Sequence, residues 1–166
     1  MSWRRRRTLP VNDFGLILED LNEAGLRYVV VGGLAVIGHG VVRATKDVDV
    51  VIAADDETAL ALAAVLRAWE ATRPDGTAET RDRPSPGWPL QLRTRHGLVE
   101  LLAESNPPLD LAGLLARSAT RTIDGTRASL CSLADLVALK RQAGRSQDLD
   151  DLAKLQIAHG ELPETT

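Results

Sequence analysis

The chain has 166 residues, of which 44% are hydrophobic, 26% charged and only 3% aromatic. That is about one domain's worth of chain, with a core that has to be built from Leu, Val and Ala. A net charge of −3 and a pI near 5.6 argue against a bulk electrostatic grip on nucleic acid, and so few aromatic rings leave little on which bases can stack.

Cys131 is the single cysteine, which excludes an intrachain disulfide and a sulfur-rich zinc site and fits a reducing compartment. No apolar run approaches the roughly 18 residues of a membrane span, and Arg4 to Arg7 are not followed by an apolar leader stretch. A cytoplasmic location is the expectation. The arginine run itself reads as a solvated terminus, with an RNA-contacting arm as the sharper alternative.

Taken in order, Phe14, Ile17, Leu18 and Leu21 recur at helical spacing between a capping Asn12 and a stop at Gly25. Tyr28 to Val31 is a short buried strand, broken by Gly32-Gly33 before a second helix over Leu34 to Ile37 that Gly38 and Gly40 keep short. Val41 to Ile52 is expected to be extended. Asp55 or Asp56 then caps a helix through Leu60, Leu62, Val65, Leu66 and Trp69.

Thr72 to Pro89 holds four prolines and two glycines without any periodicity, the mark of a long loop. Leu90 to Arg95 and Leu98 to Leu102 flank His96-Gly97 as a hairpin. Asp110 caps a helix from Leu111 to about Ser118, and Asp124-Gly125 supplies the positive φ angles of a type I′ turn between Thr120–Ile123 and Thr126–Leu130. Ser132 opens a helix with Leu133, Leu136, Val137 and Leu139 inward, ending near Gly144, and a last helix runs from about Gln147 to His159. The pattern is an α+β fold, an α/β sandwich in which a mixed sheet is flanked by helices. It forms one domain over 1–166, with a core of about 12–130 and a short helical segment of about 132–160.

Side chains alternate along a strand, so Arg43, Thr45, Asp47 and Asp49 are expected to share a face, with Val48 and Val50 opposite in the core. Two carboxylates about 6.5 to 7 Å apart along a strand repel unless they converge on a cation. An oxygen-only donor set with no nearby His or Cys pattern favours Mg²⁺ or Mn²⁺ over zinc. Gly32-Gly33 fits beside it, because a strand that ends in two residues without Cβ and opens a helix lets phosphate oxygens reach backbone N–H groups. Taken alone, such a turn is weak grounds.

The residues Gly32-Gly33-Leu34-Ala35, His39-Gly40 and Arg43-Ala44-Thr45-Lys46-Asp47-Val48-Asp49 resemble the minimal nucleotidyltransferases of the DNA polymerase β superfamily. They are most similar to the small prokaryotic branch, with its antibiotic nucleotidyltransferases and toxin–antitoxin components. Leu136 to Arg145 and Asp148 to Leu152 look like the C-terminal helical segment of that branch, so the likeness spans about Leu26 to Leu155. It implies a polymerase β-type mixed sheet with a carboxylate triad, two members on one strand and the third on a neighbour, and Glu100 stands where relatives often carry Asp. With Asp47, Asp49 and Glu100 as catalytic and metal-holding residues, it implies two-metal transfer of a nucleoside monophosphate from a triphosphate to an acceptor hydroxyl. Gly32, Gly33, Arg43, Thr45 and Lys140 are the candidate nucleotide contacts.

The implied partners are a nucleoside triphosphate with Mg²⁺ or Mn²⁺, an acceptor that is a small molecule, a tRNA 3′ end or a protein, and a toxin–antitoxin partner. The competing reading is an inactive binding module on the same fold, kept open by Glu at position 100. A Rossmann-like dinucleotide binder fails on the missing third glycine and on the paired aspartates. Plainer roles stand beside the sharper ones. Arg43 pairs with Asp47 or touches the nucleotide, and Thr45 is a hydrogen-bonding strand residue. Lys46 is a surface charge, and Lys140 and Arg145 are cations at the negative end of a helix. His39 is a helix-end residue, His96 and His159 are exposed, and Cys131 is a small buried hydrophobe. The loop over Arg81 to Pro89 is flexible or closes over an acceptor, and Trp3, Trp69 and Trp88 are packing or interface residues.

Overall fold

A computed structural model of the chain describes residues 12–79, 89–104 and 109–164. Arg4 to Arg7, Trp3, Trp88 and most of the Arg81 to Pro89 segment lie outside the described residues. Helices α1 (Phe14–Glu23), α2 (Gly32–Gly38), α3 (Asp56–Ala68), α4 (Leu111–Arg117), α5 (Leu133–Ala143) and α6 (Ser146–His159) accompany six strands. These are β1 (Tyr28–Val31), β2 (Asp47–Ile52), β3 (Leu90–Thr94), β4 (Gly97–Ala103), β5 (Ala119–Ile123) and β6 (Thr126–Leu130). The strands form one sheet in the order β3-β4-β2-β1-β6-β5. Pairs β1·β2, β3·β4 and β5·β6 are antiparallel, whereas β2·β4 and β1·β6 are parallel, so the α+β expectation and the mixed sheet hold.

Side-chain caps set most helix starts. Asp55 accepts from the Thr58 N–H at 2.7 Å, Asp110 from Gly113 at 3.2 Å and Ser132 from Asp135 at 3.1 Å, each satisfying a donor that has no partner within its helix. The first helix is capped by Asp13, which accepts from the Leu16 N–H at 3.0 Å, and not by Asn12. Asp124 and Gly125 adopt φ of 46° and 83° in the β5–β6 turn, the values a type I′ turn needs. The β3–β4 turn consists of Arg95 and His96, and Gly97 already belongs to β4. His96 is half-buried there, 3.6 Å from Asp20, and not fully exposed as expected.

The extended segment over Val41 to Ile52 proves to be a strand only from Asp47 onward. A strand needs a ladder, and neither neighbour provides one earlier: β1 turns into α2 after Val31, which pairs with Asp49, and β4 reaches β2 at Leu98 opposite Asp47. The loop after α3 is more ordered than its composition suggests. Thr72 bridges both Ala78 and Arg93, covering the outer edge of β3, and Glu79 is buried in a pair with Arg73 at 2.9 Å.

Along β1 and β2 the alternating registers divide the sheet. Val30, Val48, Val50 and Ile52 lie on one face, continued by Leu92, Val99 and Leu101, all buried. Helix α1 covers that face, since the Tyr28 hydroxyl donates to Asn22 at 3.0 Å. Trp69 is fully buried and donates to Asp20, which makes it a packing residue, while Leu60 faces solvent. On the opposite face of β2, β4 and β3 the side chains of Asp47, Asp49, Leu98, Glu100, Gln91 and Arg93 remain partly or fully exposed. No helix among the described residues is long and apolar enough to cross a membrane.

Candidate functional site

Parallel pairing of β2 with β4 places Asp49 directly opposite Glu100, and Asp47 follows two residues back on the same face. Each of the three carboxylates offers an oxygen within 4.8 Å of the other two. Glu100 therefore turns toward the aspartates while staying partly exposed. Thr45 donates to Asp47 Oδ1 at 3.3 Å and to the Asp47 carbonyl at 3.4 Å, which fixes that carboxylate from the loop side.

Asp49 carries most of the electrostatic load. Burial, then the charges of Asp47 and Glu100, push its carboxyl up to about 7, against a smaller opposite pull from the Gly33 backbone N–H. Its Oδ1 is buried without any hydrogen-bond partner. A buried carboxylate oxygen with no donor, held among like charges, is costly unless a cation occupies the gap. Three carboxylates are also the hard-oxygen donor set that Mg²⁺ or Mn²⁺ takes. The residues fit a divalent ion.

The glycine bend serves this carboxylate. Gly32 has φ of 62°, and a Cβ there would overlap Asp49 Oδ2 and come within 2.6 Å of the carboxyl carbon. At Gly33 a Cβ would lie 2.5 Å from Thr45 Oγ1. Gly32→Ala is therefore expected to displace Asp49 and cost at least 1 kcal/mol from the positive φ alone. Calorimetric Mg²⁺ or Mn²⁺ titration should show affinity reduced tenfold or more, and unchanged affinity would remove the packing argument.

A cavity of about 390 Å³ opens beside the triad, lined by Gly32, Asp49 and Glu100 together with Lys140, Arg145 and Asp148. Leu136 and Leu139 from α5 contribute an apolar wall. That volume lies within the usual range for small-molecule sites. Of the residues expected to touch a nucleotide, Gly32 and Lys140 line this cavity, whereas Gly33, Arg43 and Thr45 do not.

Arg43 pairs with Asp151 of α6, and not with Asp47 as the strand parity suggested. Asp151 also receives Lys140 at 2.8 Å, and Lys140 reaches Asp148 at 2.9 Å, which in turn holds Arg145 at 2.8 Å. Lys140 is thus buried and doubly paired, not a free cation at a helix end. For Asp148, burial opposes ionisation, but hydrogen bonds and charge from Arg145 and Lys140 outweigh it and hold the carboxyl down at about 2. The chain of alternating charges clamps α5 and α6 to the segment before β2. The sequence reading missed Asp151 altogether. Its signal was the spacing of Asp148 and Asp151, which puts both on one helix face with Leu155.

Lys46 is exposed as expected. Cys131 is buried and desolvation pushes its thiol up to about 12. His39 bonds to the Cys131 carbonyl at 2.9 Å, and His159 is exposed and lies 2.6 Å from the His39 carbonyl. None of the three approaches the triad's cavity.

No family model and no curated protein matches the sequence. Solved structures do. ANT(2″)-Ia bound to adenylyl-2″-tobramycin superposes with a TM-score of 0.55 at 15% identity, over 87% of this chain and 86% of that one. An antigenic nucleotidyltransferase-like protein from Paracoccidioides brasiliensis gives 0.55 at 21% identity, over 87% and 72%. A Thermotoga maritima protein assigned as a nucleotidyltransferase gives 0.53 at 17% identity, over 84% and 87%. The chain has the minimal nucleotidyltransferase fold. On this nucleotidyltransferase fold the resemblance carried by Gly32-Gly33 and Asp47-Val48-Asp49 is matched by the three-dimensional likeness, which at these identities speaks for the fold.

Proposed function

We propose that the protein transfers a nucleoside monophosphate from a nucleoside triphosphate to an acceptor hydroxyl. One observation carries this reading: three carboxylates from two adjacent parallel strands converge within 4.8 Å, with an unpartnered buried oxygen on Asp49, beside a nucleotide-sized cavity that Asp49 and Glu100 line. The nucleotidyltransferase neighbours support it as relatives in fold.

Asp47, Asp49 and Glu100 would hold Mg²⁺ or Mn²⁺. When bound, the ions offset the triphosphate's charge and make an acceptor hydroxyl more acidic. The 390 Å³ cavity takes the nucleotide, its apolar Leu136 and Leu139 side against the base and sugar, with the N–H groups of Lys140 and Arg145, already paired with Asp148, among its polar lining. The acceptor oxygen forms a bond to the α-phosphorus while the bond from that phosphorus to the bridging oxygen of the β-phosphate breaks. Pyrophosphate leaves with the electron pair, and the hydroxyl proton passes to the Glu100 carboxylate. Catalysis of this kind is mostly positioning and electrostatic stabilisation.

The test uses the purified chain with each of the four α-labelled triphosphates and Mg²⁺, offered separate pools of RNA, protein and small hydroxylated compounds. Label is expected in one pool, with at least a thousandfold loss on Asp47→Ala. Triphosphate binding without labelling of any pool would instead identify a binding module that has kept the fold.

A further inference from the structure

The triad lies between two cavities. Beyond the one already described, a second of about 190 Å³ lies on the β3 side and is lined by Asp47, Glu100, Leu98, Gln91, Arg93 and Pro74, among others. Glu100 lines both cavities, whereas Asp49 lines only the first and Asp47 only the second. We propose that this second cavity is the acceptor site, and that it takes an acceptor carrying a phosphate or carboxylate close to its reacting hydroxyl. The inference rests on the nucleotidyl-transfer reading and adds the chemical class of the second substrate.

The strand registers supply the geometry. Leu98 pairs with Asp47 on one side and with Arg93 on the other, and Glu100 likewise lies between Asp49 and Gln91. Paired residues share a face of the sheet, so two rows run from the carboxylates outward, one ending in Arg93 and the other in Gln91. Each row crosses two strand spacings, roughly 10 Å between the outer backbones. An acceptor whose hydroxyl lies at the triad therefore meets a guanidinium and an amide within a few bonds of its reacting oxygen.

The charge at that end decides the class. The Arg93 side chain is exposed and makes no hydrogen bond or ion pair among the described residues. The Thr72 bridge is carried by the Arg93 backbone N–H and carbonyl, which leaves the side chain free of the edge pairing. Apart from Asp47 and Glu100, both assigned to the metal, no described residue lining the cavity is acidic. Among the described residues a polycationic acceptor would find no carboxylate beyond those two to neutralise it there, and it would face Arg93. An anionic one gains a planar fork of donors with an adjacent amide. The volume falls below the usual range for drug-sized ligands, so the site encloses a small phosphorylated or carboxylated alcohol, or only the terminal unit of a phosphodiester chain.

Amide and side-chain N–H resonances of the Mg²⁺-loaded protein with α,β-methylene ATP test the assignment, read during titration with glycerol 3-phosphate, a short oligoribonucleotide ending in a 3′-hydroxyl, and tobramycin. Saturable shifts of the Gln91 side-chain amide and Arg93 Nε–H are expected with one or both phosphate-bearing probes. The arm that responds distinguishes a small-molecule source from a chain end. In Arg93→Ala the affinity should fall about tenfold or more, with partial recovery in Arg93→Lys, as for loss of a charged hydrogen bond. A response to tobramycin alone, or none to any probe, overturns the proposal. Nucleotide-dependent shifts at the Gly32 and Gly33 amides separate the two levels: if they are absent, the transfer reading itself falls. If they are present while Gln91 and Arg93 stay silent, only the acceptor assignment falls.

Discussion

Asp49→Asn is expected to make the metal-free protein more stable while abolishing the proposed nucleotidyl transfer. In the wild-type chain the Asp49 carboxyl is pushed up to about 7, first by burial and then by Asp47 and Glu100. The unfolded chain ionises this group near its ordinary carboxylate value of about 4, so between about pH 4 and pH 7 the folded state binds more protons than the unfolded one. Stability then falls as pH rises through that window, and the loss is complete above the folded-state value. Its size is on the order of a few kcal/mol, or roughly 5 to 10 °C in Tm for a chain of this length.

An amide in place of the carboxylate removes the penalty. The wild-type Tm should therefore decline between pH 4 and pH 7 in chelator and recover on adding Mg²⁺ or Mn²⁺ at pH 8, because an ion that binds only the folded state stabilises it. Asp49→Asn should show a flatter pH profile, a higher Tm in chelator at pH 8 and little response to either ion. Thermal denaturation across these conditions decides it. A variant less stable than wild type in chelator, or one still stabilised by the ions, would show that Asp49 carries no such penalty or that the cation does not depend on it.

The second large effect concerns Asp151, whose side chain is only 1% exposed and receives both Arg43 and Lys140. Changing it to Ala leaves two largely buried cations with one fewer counter-charge, although Lys140 keeps Asp148. Breaking a buried pair from one side typically costs about 3–5 kcal/mol, which corresponds to roughly 10 °C or more in Tm here. Asp150 is the natural control. It pairs with Lys154 in an exposed i,i+4 bridge, the two side chains being 60% and 42% exposed, and such a pair is worth about 0.5 kcal/mol at most. Equal Tm losses for Asp150→Ala and Asp151→Ala would refute the buried clamp. The same clamp has an acid limit through its neighbour. Because the Asp148 carboxyl is held at about 2, its contribution is intact above about pH 4 and is lost as the pH falls through about 2.

Much of the fold was legible because the relevant signals are local. The caps at Asp55, Asp110 and Ser132, the Asp124-Gly125 turn and the left-handed stop at Gly144, with φ of 61°, each follow from a few neighbouring residues whose backbone geometry their own chemistry dictates. The two-residue alternation of Asp47 and Asp49 against Val48 and Val50 was equally readable, since a strand has only two faces. Two errors also had local causes, because Asn12 and Asp13 are both good caps and the alternating residues before Asp47 look extended whether or not a partner strand exists.

By itself, the sequence determined an α+β chain with a glycine bend and a pair of aspartates poised on one strand. Spacing alone could not decide which side chains reach that pair, and Glu100 was named only through the family resemblance, because contacts between residues far apart in the chain depend on strand order and register. Pairing of β2 with β4 brought Glu100 opposite Asp49, and β3 on the outer edge then put Arg93 at the far end of the same face. The packing of α6 gave Arg43 and Lys140 to Asp151, a partner 108 positions from the first of them. A buried cation takes whichever carboxylate the fold delivers to it, and that delivery is a property of the tertiary arrangement alone.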